Sequence, residues 1–302
     1  MRLLASLTMA SVALALACTA REQPREKAET WIVRLGAYEG ERISSTHLIR
    51  VYSPWVETQY LSINFPEHCW GTGLPNVSHM SEEAITTPWQ YNEDSTEAVL
   101  VEEPRPGVTY RSLVKADSMA ARLELVLENQ SDTPISEIRT LVCTRPDAMA
   151  GFHFGTYAKV YVWVDGGARN IELGTTFEGE MPIGHVAWAL NVEGGPDNST
   201  FDDLGWFRPK SGPGRIVDER ARPPLIAARH VDNPKLWIAT LWQPARMVFS
   251  NAAIPCIHSD PLPPDCPAGG TVRANGIVMF HEGSLDGLLE RARREMGILD
   301  KP

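Results

Sequence analysis

Between Asn251 and Asp265 the chain sets an amide, an imidazole and two carboxylates on a backbone stiffened by Pro255, Pro261, Pro263 and Pro264. Fixed placement is what a site requires, since about 1 Å of misplacement can cost on the order of a hundredfold in rate. His258 is the candidate acid or base, because an unperturbed imidazole titrates at a pH of about 6.5. Asp260 or Asp265 would orient it or bind a cation, and Asn251 would hold substrate through its amide. The same residues equally suit a structural loop in which His258 and Asp260 satisfy backbone groups. Cys256 and Cys266 bracket the proline-rich stretch, and in an oxidising compartment they are expected to close it as a disulfide. Cys69 and Cys143 are left as a second pair by elimination.

Two other runs carry suitable side chains. Glu67-His68-Cys69-Trp70 places an imidazole beside an indole, so His68 is a second candidate acid or base and Trp70 a ring for stacking on a ligand face. A tryptophan beside a cystine is equally good core filling. Leu241-Trp242-Gln243-Pro244-Ala245-Arg246 offers Trp242 for stacking and Arg246 to steady a developing negative charge, because a guanidinium donates two parallel hydrogen bonds to a carboxylate. The competing reading of Arg246 is a salt bridge within the protein. Asp197, Asn198, Ser199, Asp202 and Asp203 form an oxygen-rich stretch that could bind calcium, without the ordered spacing of an EF-hand. His153 and His185 suit packed core as well as function. A further acid and base pair would be His68 with Glu282, although His281-Glu282 also reads as an ordinary strand end. The sequence contains no nucleophile elbow, phosphate loop, His-Glu-x-x-His or dinucleotide fingerprint, and no Cys-x-x-Cys pair.

Strands must position these residues. Leu123, Leu125 and Leu127 alternate with Glu124, Val126 and Glu128, which marks a strand with one face turned to a core. Asn129 to Pro134 has turn chemistry, and Ile135 to Cys143 returns as a β-prone run, so the two are expected to pair. Tyr60–Phe65, Lys159–Val164, Leu225–Ala228, Leu236–Trp242 and Thr271–Phe280 are further strand candidates. One helix is predicted near the C-terminus: Ser284 caps it, Asp286 meets its positive end, Leu285, Leu288 and Leu289 share a face, and Gly297 stops it. With no repeat and no composition break, residues 31–302 read as one large, mainly β, antiparallel sandwich with a short C-terminal helix.

Arg2 followed by the uncharged apolar run Leu3 to Ala17 has the pattern of a signal peptide, too short to span a bilayer. Cleavage before Cys18 would leave a lipidated cysteine, with residues 18–30 as a tether; cleavage after Ala20 would leave a soluble secreted protein. The formal net charge of -10 argues against nucleic acid as a partner. Membrane attachment is expected only through the N-terminal lipid.

Glu128 to Ile135, the strand ending at Cys143, Asp165-Gly166-Gly167, Ser250-Asn251 and Cys256 to Pro261 together resemble secreted bacterial proteins with a galactose-mutarotase-like β-supersandwich, over roughly Ile43 to Met296. The resemblance implies a twisted many-stranded sandwich of the kind used by sugar epimerases, polysaccharide lyases and non-catalytic sugar-binding proteins, and hence a carbohydrate ligand. No cofactor is required by that reading, and the fold alone does not choose among these roles.

Overall fold

The computed structural model describes residues 33–37, 47–78, 88–152, 159–171, 187–197, 214–251 and 256–299. The expected leader and tether, His153, His185 and residues 198–203 of the acidic stretch lie outside them. In chain order the strands are β1 (Leu35–Ala37), β2 (Leu48–Tyr52), β3 (Tyr60–Thr72), β4 (Leu74–Ser78), β5 (Gln90–Tyr91), β6 (Glu97–Arg105), β7 (Val108–Asp117), β8 (Ala120–Asn129) and β9 (Ser136–Ala148). There follow β10 (Val160–Val164), β11 (Gly167–Asn170), β12 (Ala187–Val192), β13 (Gly214–Arg229), β14 (Leu236–Gln243), β15 (Ala245–Asn251), β16 (Cys256–Pro261) and β17 (Thr271–Glu282), then helix α1 (Leu285–Leu299).

Pairing runs through two leaves. In the first the order is β1, β2, β3, β9, β16, β15, β12, with β4 beside the far end of β3. In the second it is β11, β10, β13, β14, β17, β8, β7, β6, β5. Strand β13 joins them: its first half lies parallel to β12, and its second half, after Arg222-Pro223, lies antiparallel to β14. The result is one mixed, open sheet doubled over as a sandwich, antiparallel except at β12–β13 among the described pairings. At the β10–β11 hairpin, Asp165 and Gly166 both take positive φ (51° and 79°), the two-residue turn whose twist suits flanking strands.

The core lies between the leaves. Ile63, Phe65, Val142, Val248 and Ile257 from the first meet Leu123, Leu125, Leu127, Trp242, Val278 and Phe280 from the second. Phe65 meets Trp242 edge-on at 5.5 Å, and Trp55 meets Phe280 at 5.4 Å. The Ser259 hydroxyl stitches across, donating to the Pro224 carbonyl at 2.7 Å and accepting from the Trp242 amide at 3.0 Å. On the outer face of the second leaf, Leu288 and Ala292 of α1 bury themselves against Trp163, Trp237 and Met279. Ser284 caps that helix, its hydroxyl accepting from the Gly287 amide at 3.1 Å.

Three expectations are corrected. Strands β8 and β9 do not pair with each other: β8 lies between β7 and β17, and β9 between β3 and β16, so the turn at Asn129–Pro134 carries the chain from one leaf to the other. Ile135 forms only an isolated bridge to Cys266. Helix α1 runs past Gly297 to Leu299, because a glycine weakens a helix without ending it. The segment expected as a proline-stiffened loop is in large part strand β16, with every residue buried.

That last difference also removes the expected disulfide. Extended backbone carries Cys266 away from Cys256, to the bridge with Ile135, where its sulfur lies 3.5 Å from the Gly270 carbonyl oxygen. All four described cysteines are thiols, so neither Cys256 with Cys266 nor Cys69 with Cys143 is joined. The Thr140 hydroxyl lies 3.4 Å from the Cys69 sulfur, and burial pushes the Cys69 thiol up to about 12.

A candidate site on the outer face of the first leaf

Strand alternation sorts β16 cleanly. Ile257 and Ser259 face the core, while Cys256, His258 and Asp260 face outward onto a small cluster of Leu141, Cys143, Ala189, Met247 and Phe249. Phe249, directly across from His258 on β15, stacks on the imidazole with ring centroids 3.6 Å apart and 26° between planes. On the other side, the Ile257–Thr144 bridge brings Cys143 of β9 opposite His258.

Strand β3 supplies the next residue through an irregularity. Between Asn64 and His68 it advances four residues while β9 moves only from Cys143 to Leu141. Such a bulge re-aims side chains, and it carries Glu67 toward β16. The bulge is held from behind: His47 donates from Nδ1 to the Pro66 carbonyl at 2.8 Å, and its Nε2 lies 2.6 Å from Glu102, with neither side chain exposed.

The resulting constellation is Glu67, His258 and Asp260. His258 Nε2 is 3.9 Å from Glu67 Oε2, and His258 Nδ1 is 3.3 Å from Asp260 Oδ1. Asp260 Oδ1 also accepts from the Val142 amide at 3.0 Å, which ties the carboxylate to β9. Burial pushes Glu67 up to about 7, with His258 and Arg145 pulling it back. Burial opposes a proton on His258, yet Cys256 and Asp260 together raise its pKa to about 10. Asp260 is raised by burial, against the pull of His258, the Val142 amide and Arg246. Glu67 keeps 15% of its side chain exposed, against 1% for His258 and 0% for Asp260, so it is the group of the three that a ligand can reach.

The remaining sequence candidates divide. Arg246 sits at a bulge in β15 and acts electrostatically on Asp260. His68 and Trp70 lie on β3 opposite Leu141 and Arg139, their rings edge-on at 6.5 Å, and Trp70 packs against the outer cluster. Asn251 ends β15 opposite Cys256. Trp242 is not part of this face: it is fully buried between the leaves, against Phe65 and the backbone of Gly276, where an added Cβ would lie 2.4 Å from its ring. Glu282 is exposed at the end of β17, in the other leaf from His68. Asp265 accepts from the Glu137 amide at 2.9 Å, a structural role. Asp197, the described member of the acidic stretch, accepts from the Asn191 amide group at 3.1 Å. Sequence reasoning did not select Glu67, Cys143 or Arg145. The signal for the first was its place in the Glu67-His68-Cys69-Trp70 run; the other two had none.

A separate concavity of about 860 Å³ lies on the second leaf, lined by Tyr91, Arg111, Lys115, Arg122, Glu124 and Asn275 among others. None of the candidate residues reaches it.

No protein family and no curated protein matches the sequence. Among solved structures, the chain is similar to a protein of Synechocystis sp. PCC 6803 at 11% identity and a TM-score of 0.37, covering 76% of this chain and 81% of that one. It is also similar to a galactose mutarotase related enzyme from Lactobacillus acidophilus at 11% identity and a TM-score of 0.35, covering 80% and 96%. These likenesses carry no statement about activity. Fold and site together define a β-sandwich protein with a polar, partly sealed constellation on one outer sheet face.

Proposed function

We propose that this chain is an exported cell-envelope protein that processes a carbohydrate, with Glu67 transferring a proton to or from the sugar. The carrying observation is that Glu67, the accessible carboxyl of the constellation, is backed by His258 and Asp260, with Arg246 near Asp260 and the Trp70 and His68 rings on the same strand as Glu67. A positioned acid or base contributes about 10²- to 10⁴-fold to a rate, a cation steadies developing negative charge, and an indole stacks on a sugar face. In this reading the acid or base is Glu67 itself, with His258 beside it and His68 as its counterpart.

The second reading is a non-catalytic envelope lipoprotein that binds glycan, favoured by the burial of His258 and Asp260. One preparation separates the two. Protein recovered from membranes of an exporting bacterial host is weighed intact, a lipid mass on Cys18 being expected, and is then incubated with a glycan panel in deuterated water. Processing predicts deuterium entering one sugar carbon, and at least a hundredfold slower entry with Glu67→Gln. Glycan retention without exchange supports the binding reading, and an unlipidated product beginning at Arg21 rejects the anchor.

A further inference from the structure

On β16, Cys256 and His258 are two residues apart and so share a face, and Cys143 of β9 stands opposite His258. One ligand atom from each of these three buried residues lies within 4.8 Å of the others. We propose that Cys143, Cys256 and His258 bind a divalent transition-metal ion, with zinc the best chemical match, and that the fourth coordination position opens toward Glu67.

The donor set argues for the metal. Two thiolates and an imidazole suit zinc, and three protein ligands with one open position is the arrangement of zinc sites that do chemistry, whereas structural sites are closed by four. With zinc bonds of about 2.3 Å to sulfur and about 2.0–2.1 Å to nitrogen, a tetrahedral site spaces its ligand atoms about 3.4–3.8 Å apart. The present separations, all within 4.8 Å, exceed that spacing by no more than about 1.4 Å. The surroundings agree. Asp260 takes the Nδ1 proton of His258 in a hydrogen bond, which orients the ring and leaves Nε2 for a metal, the usual carboxylate–histidine–metal relay. Leu141, Met247 and Phe249 wall the cluster with apolar surface. Arg145 acts on Cys143 and Glu67, and Arg246 on Asp260, so two cations stand beside the negative charge that the thiols would gain on giving up their protons to a metal ion.

A Cys143–Cys256 disulfide is the rival, and the register opposes it. The two cysteines are diagonal across the β9–β16 pair, where Cα atoms lie about 7–8 Å apart, beyond the usual 4.4–6.8 Å span of a disulfide. A metal ion between the sulfurs bridges that gap with no backbone movement.

This inference does not rest on the carbohydrate reading, and its test uses no sugar. The full-length protein, purified under reducing conditions and stripped by chelation, is titrated with Zn²⁺ and with Co²⁺. One ion per chain is expected, with near-ultraviolet thiolate-to-cobalt absorption. Cys143→Ser and Cys256→Ser should each lose that absorption and bind at least tenfold more weakly, Asp260→Asn should bind about 10- to 100-fold more weakly, and Cys266→Ser should match the parent. Should the ligand variants fail to fold, the cobalt spectrum of the parent decides alone. Absence of stoichiometric metal in the reduced protein, a cobalt spectrum without thiolate bands, undiminished binding in Cys143→Ser, or a Cys143–Cys256 cystine isolated from the exported protein overturns the proposal.

Discussion

Glu67 owes its position to residues that touch nothing in the site. The bulge in β3 turns at Pro66, whose carbonyl is held by His47, and His47 is itself held by Glu102 on β6 in the second leaf. An imidazole and a carboxyl fully removed from water depend on each other, and removing one member of such a buried pair typically costs about 3–5 kcal/mol. Glu102→Ala should therefore lower stability by about that amount in urea unfolding, and Glu102→Gln, which keeps an acceptor facing the imidazole, should lose less. An Ala variant that unfolds at the parental midpoint would show that the pair contributes nothing. The reactive residue types were legible in the sequence because His258, Asp260, Arg246, His68 and Trp70 are chemically distinctive wherever they fall. Cys143 was not, because its neighbours come from β16, more than a hundred residues away, and only register brings them together. Trp242 was misplaced for a related reason: an indole is as apt to fill a core as to stack on a ligand, and the bare Cα of Gly276 on β17 decides the matter by making room for it.

At the scale of elements, alternation was the reliable signal. Leu123, Leu125 and Leu127 are buried as expected, four of the five further strand candidates fall within β3, β13, β14 and β17, and the fifth begins one residue before β10. What alternation does not encode is partner choice. A turn between two β-prone runs usually means a hairpin, but the Asn129 side chain donates to the Thr133, Cys266 and Pro267 carbonyls, fixing a corner that sends β9 to the opposite leaf. Prolines misled in the Asn251 to Asp265 stretch, since Pro261 is the last residue of β16, where a missing donor is tolerated. The helix was readable to its first turn because capping is local. Its docking adds what the pattern omits: Arg291 donates to the Phe280 carbonyl at 2.6 Å and the Met119 carbonyl at 3.1 Å, pinning α1 to β17 and to the β7–β8 turn. Ser284→Ala should cost about 1 kcal/mol, the usual worth of an N-cap, leaving metal and ligand binding unchanged because α1 covers the other leaf. A loss above about 3 kcal/mol, or altered binding, would mean that the helix does more than cover Trp163 and Met279.

Across the whole molecule, the two leaves are not separable bodies. Strand β13 hydrogen-bonds into both, the Ser259 hydroxyl ties β16 to β13 and β14, and a single core cluster draws on strands from each side. Neither leaf can keep its inner face buried if the other opens, and burial of apolar surface at roughly 25 cal/mol per Å² is the dominant stabilising contribution. The site face is different: its cluster lies outside the shared core, so rearrangements around Glu67 and His258 need not loosen the sandwich. Global unfolding should accordingly be one cooperative transition. Tryptophan emission, reported from between the leaves by Trp242 and from under α1 by Trp163 and Trp237, should change at the same urea concentration as the far-ultraviolet circular dichroism of the strands. Two resolved transitions, with β5 to β8, β14 and β17 melting apart from β2, β3, β9, β15 and β16, would show that the leaves are stabilised independently and that β13 is a hinge between domains.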